Sequence, residues 1–95
     1  MDIISESRMA MEEVAKAISG KRVVAGAKQL RKALNSGVVC RVFLAEDADP
    51  AITEPIMVLC QRHTVEFAWV KSMTDLGKAC GIDVGAAAAA AVDFC

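Results

Sequence analysis

Apolar residues recur along this chain with two alternating periods, and each switch between the periods marks an element. From Ser5 onward, Met11, Val14, Ala15 and Ile18 fall at helical spacing, and Gly20 supplies a stop. Arg22-Val23-Val24-Ala25 reads as a short strand that Gly26 breaks. A second helix is predicted from there to about Asn35, with Ala27, Leu30 and Leu34 as its apolar stripe and Lys28, Arg31, Lys32 and Asn35 on the other face. Asn35-Ser36-Gly37 closes it with turn chemistry. Residues 38–45, mostly β-branched and apolar, have the length of a buried central strand.

After the acidic turn Glu46-Asp47-Ala48-Asp49-Pro50, a third helix is expected to enter near Pro50 or after Thr53 and to run to about Arg62. Thr53-Glu54-Pro55 is a start signal, because proline fits a first turn. Val65-Glu66-Phe67-Ala68-Trp69-Val70 follows as a strand. Ser72-Met73-Thr74-Asp75 resembles a capping box and opens a short helix that ends at Cys80-Gly81. The tail, Gly85 with six alanines and Val92, is open to two readings. Alanine's propensity favours a helix, whereas a fully buried strand pressed by helices also selects small residues. Alternation of helices and strands predicts an α/β fold, with helices on both faces of one sheet.

Composition narrows the class. With 95 residues, 55% of them apolar, the chain has material for one core, so residues 1–95 are expected to form a single domain. The longest apolar run, 85–92, falls well short of the roughly 20 residues that cross a bilayer. The first residues lack the pattern of a signal peptide, which makes the cytoplasm the expected address. Cys40, Cys60, Cys80 and Cys95 show no close C-x-x-C pair, and they read as small residues with free thiols.

Charge adds the first functional clue. The net charge of −1 argues against a nucleic-acid binder when taken alone. Its distribution argues the other way. No acidic residue lies between Glu13 and Glu46, while that stretch holds Lys16, Lys21, Arg22, Lys28, Arg31, Lys32 and Arg41. Such segregation lets one face attract phosphate while the whole stays near neutral.

Two stretches stand out chemically. In Gly26-Ala27-Lys28-Gln29-Leu30-Arg31-Lys32, glycine permits close backbone approach, and the helix start offers unpaired N–H groups. Lys28 and Lys32 share a face, and Gln29 beside them can donate to and accept from a base edge. An ordinary solvated basic helix has the same composition. The second stretch, Leu76-Gly77-Lys78-Ala79-Cys80-Gly81-Ile82-Asp83-Val84-Gly85, frames two apolar residues with glycines. Ile82 and Val84 either shelter an unstacked base or tuck back into the core. His63 lacks a partner at catalytic spacing and reads as a helix-end residue. Glu46, Asp47 and Asp49 lack the loop pattern of calcium sites and read as a polar turn. No metal site, cofactor or nucleophile–base pair is indicated, so no enzyme is expected.

Residues from about 23 to 92 resemble the L7Ae/L30e ribosomal-protein family, particularly its small bacterial members of the YbxF and YlxQ type. The resemblance is carried by Val24-Ala25-Gly26-Ala27-Lys28-Gln29-Leu30-Arg31-Lys32-Ala33-Leu34, by Ala45-Glu46-Asp47-Ala48-Asp49-Pro50, and by Leu76 to Ala88, in order and at the family's spacing. It implies a three-layer α-β-α sandwich with a four-stranded mixed sheet, hence a strand for the alanine tail. It also implies binding to a kink-turn, a sharply bent RNA helix built on tandem sheared G·A pairs. The family's Gly-x-Asn-Glu-x-x-Lys helix start contacts those guanines. Gly26 and Lys32 match it, Lys28 stands in the Asn place, and Gln29 stands in the Glu place, with Arg31 on the same turn. An apolar loop after the fourth helix shelters an extruded base in the family, and Ile82, Asp83 and Val84 occupy that loop. The partner implied is a structured RNA with a kink-turn, ribosomal RNA or the ribosome among the candidates. No membrane partner and no cofactor are implied, and a monomer is expected. A second reading keeps the fold but replaces RNA by a protein partner, motivated by the acidic helices and the Lys28-Gln29 pair.

Overall fold

The computed structural model describes residues 7–92. In chain order these form β1 (Ser7–Met9), α1 (Met11–Ile18), β2 (Arg22–Ala25), α2 (Ala27–Ser36), β3 (Val39–Ala45), α3 (Pro50–Arg62), β4 (Phe67–Val70), α4 (Met73–Ala79) and β5 (Ala88–Val92). The sheet order is β1-β4-β3-β5-β2. Strand β4 runs parallel to β3, and β5 runs antiparallel to both β3 and β2. The expected four-stranded mixed sheet is therefore β4-β3-β5-β2, and β1 extends its β4 edge as a short parallel strand.

That extra strand corrects the reading of the N-terminal helix. The helix begins at Met11, not near Ser5, and residues 5 and 6 lie outside the described residues. Residues 7–9 pair with Ala68, Trp69 and Val70, which satisfies backbone groups along an otherwise open edge. A helix-period pattern cannot foresee this, because β4 supplies the competing partner. The Ala10 amide donates to Glu13 Oε1 at 3.0 Å and closes the start of α1. Val14 and Ile18 are buried as expected, but Ala15 faces outward and Ala17 packs inward in its place.

Helix α3 enters at Pro50, the earlier of the two starts weighed. Asp49 Oδ1 accepts from the Ala51 amide at 2.9 Å, so a full cap exists six residues before Pro55. Pro55 thus lies inside the helix, not at its first turn. Strand β4 begins at Phe67, two residues later than predicted, although the Glu66 carbonyl still accepts from the Val42 amide at 3.0 Å.

Tertiary packing overrides propensity in the alanine tail. Ala88 to Ala91 are buried within the sheet's interior strand β5. Ala89 and Ala91 face the layer of α1 and α4, packed with Val14, Ile18, Phe43 and Leu76. Ala88, Ala90 and Val92 face α2 and α3 through Leu30, Leu34 and Ile56. Small side chains let both helical layers close onto one strand, and no polar face is needed where no face is wet. On β3, the Arg41 guanidinium lies 6.0 Å from the centre of the Phe43 ring, and its Nε is buried without a hydrogen bond. That cation–π contact partly offsets the cost of the unpaired donor.

Thiol chemistry departs from expectation at one position. Cys40 is disulfide-bonded, which overturns its reading as a free thiol, whereas Cys60 and Cys80 are free. Sequence spacing says nothing about which Cβ atoms meet in space. Cys95 lies outside the described residues. Burial pushes the Cys60 thiol up from 9.0 to about 11, and raises that of Cys80. The folded state therefore favours neutral Cys60. Its contribution to stability is fully present below pH 9.0 and is lost as pH rises toward about 11. We expect the urea midpoint of the native protein to fall more steeply over that window than the midpoint of Cys60→Ala; parallel curves would disprove the assignment.

Candidate nucleic-acid interface

Gly26 is the hinge between β2 and α2. Its φ of 103° and ψ of 138° lie where residues with a Cβ are strained. This conformation lets one residue serve two partners. The Gly26 amide donates to the Ala88 carbonyl at 3.0 Å, and the Gly26 carbonyl accepts the first helical bond from Leu30, also at 3.0 Å. No side chain caps α2, and its first turn contains no acid. Instead Lys28 sits there, where the helix dipole opposes a cation by about 0.3–1 kcal/mol. The arrangement sacrifices local stability and raises positive potential at the helix tip. Lys28, Gln29, Arg31 and Lys32 are all exposed.

The apolar loop is built by clipping residues 82–86 back along α4. The Ile82 amide donates to the Gly77 carbonyl and the Ala86 amide to the Met73 carbonyl, each at 3.0 Å. Gly77 is buried, and a Cβ added there would collide with the Val84 carbonyl oxygen. Gly85 lies against Met73, where an added Cβ would stand 3.1 Å from the Met73 Cβ. The two sequence alternatives for the apolar pair are divided between its members. Ile82 tucks against the core, while Val84 is 69% exposed and Asp83 is exposed beside it.

The loop and the helix tip share one end of the sheet. Val84 lies four residues before Ala88, so their Cα atoms are at most about 14 Å apart. Ala88 is the residue whose carbonyl holds Gly26. The Ala45 amide donates to the Ala87 carbonyl at 3.0 Å, which ties the end of β3 to the same point.

Two features escaped the sequence. Asp47 Oδ1 accepts from the Met73 amide at 2.8 Å across 26 residues, so the acidic turn anchors the start of α4 and, through Met73, the loop. No local signal marks a bond between residues so far apart. The second is a groove of about 440 Å³ lined by Arg22, Val24, Gln29, Lys32, Ala33, Ser36, Val38 and Val92. Gln29 and Lys32 line it, whereas Lys28 and Arg31 do not. Arg22 was visible among the cations of the acid-free stretch, but its place beside α2 depends on β2 pairing with β5. The acidic turn keeps its structural role, with Asp49 capping α3, and His63 caps the other end of that helix.

A family model described as "Ribosomal protein L7Ae/L30e/S12e/Gadd45 family" matches residues 9–94. An "RNA-binding protein" from Bacillus pumilus is 45% identical over 82 residues, covering 86% of this chain and 96% of the relative. "RNA-binding protein YbxF" from Geobacillus stearothermophilus is 43% identical over 75 residues, covering 79% and 92%. Among solved structures, the "Giardia lamblia 15.5kD RNA binding protein" superposes with a TM-score of 0.78 at 27% identity, covering 88% of this chain and 71% of its own.

Proposed function

The chain belongs to the ribosomal protein L7Ae/L30e/S12e/Gadd45 family, and from that premise we propose that it is an RNA-binding protein whose target is a kink-turn. One observation carries the finer reading. The glycine that starts the basic helix is hydrogen-bonded to the strand that continues the exposed Val84 loop. A charged tip and an apolar finger fixed to one another suit a sharply bent RNA, whose phosphates crowd together while a base is splayed out. In this reading, Gln29 meets purine edges of the sheared G·A pairs, Lys28, Arg31 and Lys32 meet phosphate, and Val84 covers the extruded base, with Ile82 and Asp83 shaping the loop. The same reading makes the protein a cytoplasmic monomer, with ribosomal RNA among its candidate targets.

Gel-shift titration against a kink-turn and a control with its G·A pairs replaced tests the proposal. Tighter binding to the kink-turn by tenfold or more is expected, on the order of 1.4 kcal/mol. Equal affinity for the two RNAs, or none for either, would refute it. Lys32→Ala is further expected to weaken binding roughly tenfold at low salt and to flatten the slope of log K against log[salt] by about 0.7–0.9. A loss that does not change with ionic strength would remove Lys32 from the phosphate contacts.

A further inference from the structure

We propose that the groove between α2 and the edge strand β2 is a second RNA-contacting stretch, which takes the sugar–phosphate backbone of one strand as it leaves the helix tip. This inference rests on the RNA-binding reading above and extends it to Arg22, a residue that reading does not use. Three observations support it.

The groove is continuous with the tip, because Gln29 and Lys32 line both. It follows α2 from Gln29 to Ser36, which at 1.5 Å per residue is about 10 Å of helix. Its charge is of one sign: Arg22, from β2, and Lys32, from α2, are both exposed and line it, and no acidic residue lines it among the described residues. Guanidinium geometry suits phosphate in particular, because its planar fork can donate to two oxygens of one group. Finally, the surface between these cations is apolar, made by Val24, Ala33, Val38 and Val92, with Val38 41% exposed. That composition fits the ribose faces between phosphates and limits competing water. The Ser36 hydroxyl donates to the Lys32 carbonyl at 3.1 Å, so it contributes an acceptor and no free donor.

Position separates this contact from the kink itself. Arg22 stands at the start of β2 and Gly26 follows its end, so about 13 Å of strand lies between them at 3.3 Å per residue. An RNA trimmed at the bend is expected to stop short of Arg22, at the far end of β2. One with an intact stem is expected to reach it.

The test compares Arg22→Gln with the native protein on two kink-turn RNAs, one carrying a full stem and one trimmed at the bend. On the full-stem RNA, Arg22→Gln is expected to bind about threefold to fivefold more weakly, with the salt slope reduced by roughly 0.7–0.9. On the trimmed RNA the two proteins are expected to bind alike. Arg22→Lys, which keeps the charge, is expected to retain the native slope; should the glutamine variant unfold, Arg22→Thr, which also removes the charge and suits a strand, replaces it with the same losses expected. Equal affinity and slope for native protein and variant on the full-stem RNA overturns the proposal. If the native protein failed to distinguish the kink-turn from its G·A control while Arg22→Gln still lowered affinity and slope, the kink-turn reading would fall and the groove would stand.

Discussion

Gly77→Ala is expected to weaken kink-turn binding by tenfold or more while leaving α2 intact. The added methyl would meet the Val84 carbonyl oxygen, which is backbone and has no rotamer to change. Either the loop moves off α4 or α4 moves off the core, where Leu76 is buried. Moving the loop is the cheaper course, because two backbone hydrogen bonds hold it, from Ile82 to Gly77 and from Ala86 to Met73. Overpacking of this kind costs about 1–3 kcal/mol, and each kcal/mol lowers the melting temperature of a chain this size by roughly 4–8 °C. Gly85→Ala is the milder comparison, because its nearest neighbour is the Met73 Cβ at 3.1 Å and the site is exposed. The measurement is a gel-shift titration below the variant's melting temperature. Native affinity in Gly77→Ala would show that the position of Val84 has no part in recognition.

What the sequence made legible follows from the range over which each signal acts. The α2 stripe of Leu30 and Leu34, the central strand β3 and the cap at Ser72 depend on neighbours within a turn or a strand, and each was readable. Ser72 Oγ accepts from the Asp75 amide at 3.0 Å, as the spacing implied. The alanine strand was undecidable locally, because its state depends on two helical layers closing on it from either side. Pairing of residues 7–9 with β4, the Asp47–Met73 bond and the place of Arg22 beside α2 all depend on partners brought close only by the fold. The same division runs through the candidate site. Gly26, Lys28, Gln29, Arg31 and Lys32 could be named from one heptapeptide, and Val84 from a glycine-framed loop. That Gly26 touches the strand fed by that loop could not.

Gly26→Ala examines that coupling directly. Nothing lies within 4 Å of a Cβ at this position, so the substitution introduces no clash. Its whole cost is conformational: a φ of 103° strains any residue with a Cβ, by about 1–3 kcal/mol. Relief of that strain rotates the peptide that donates to Ala88 and starts α2, so the helix tip shifts relative to the Val84 loop. We expect roughly tenfold weaker kink-turn binding, faster exchange of the Gly26-position and Leu30 amides, and little change at the loop amides of Ile82 and Ala86. Combination with Gly77→Ala makes the decisive comparison. If tip and finger grip one RNA as a unit, either substitution alone already breaks the grip, and the double variant loses less than the sum of the two. Independent contacts would give losses that add. Additivity within about 0.3–0.5 kcal/mol would therefore reject a coupled site, even if each variant alone weakened binding as predicted.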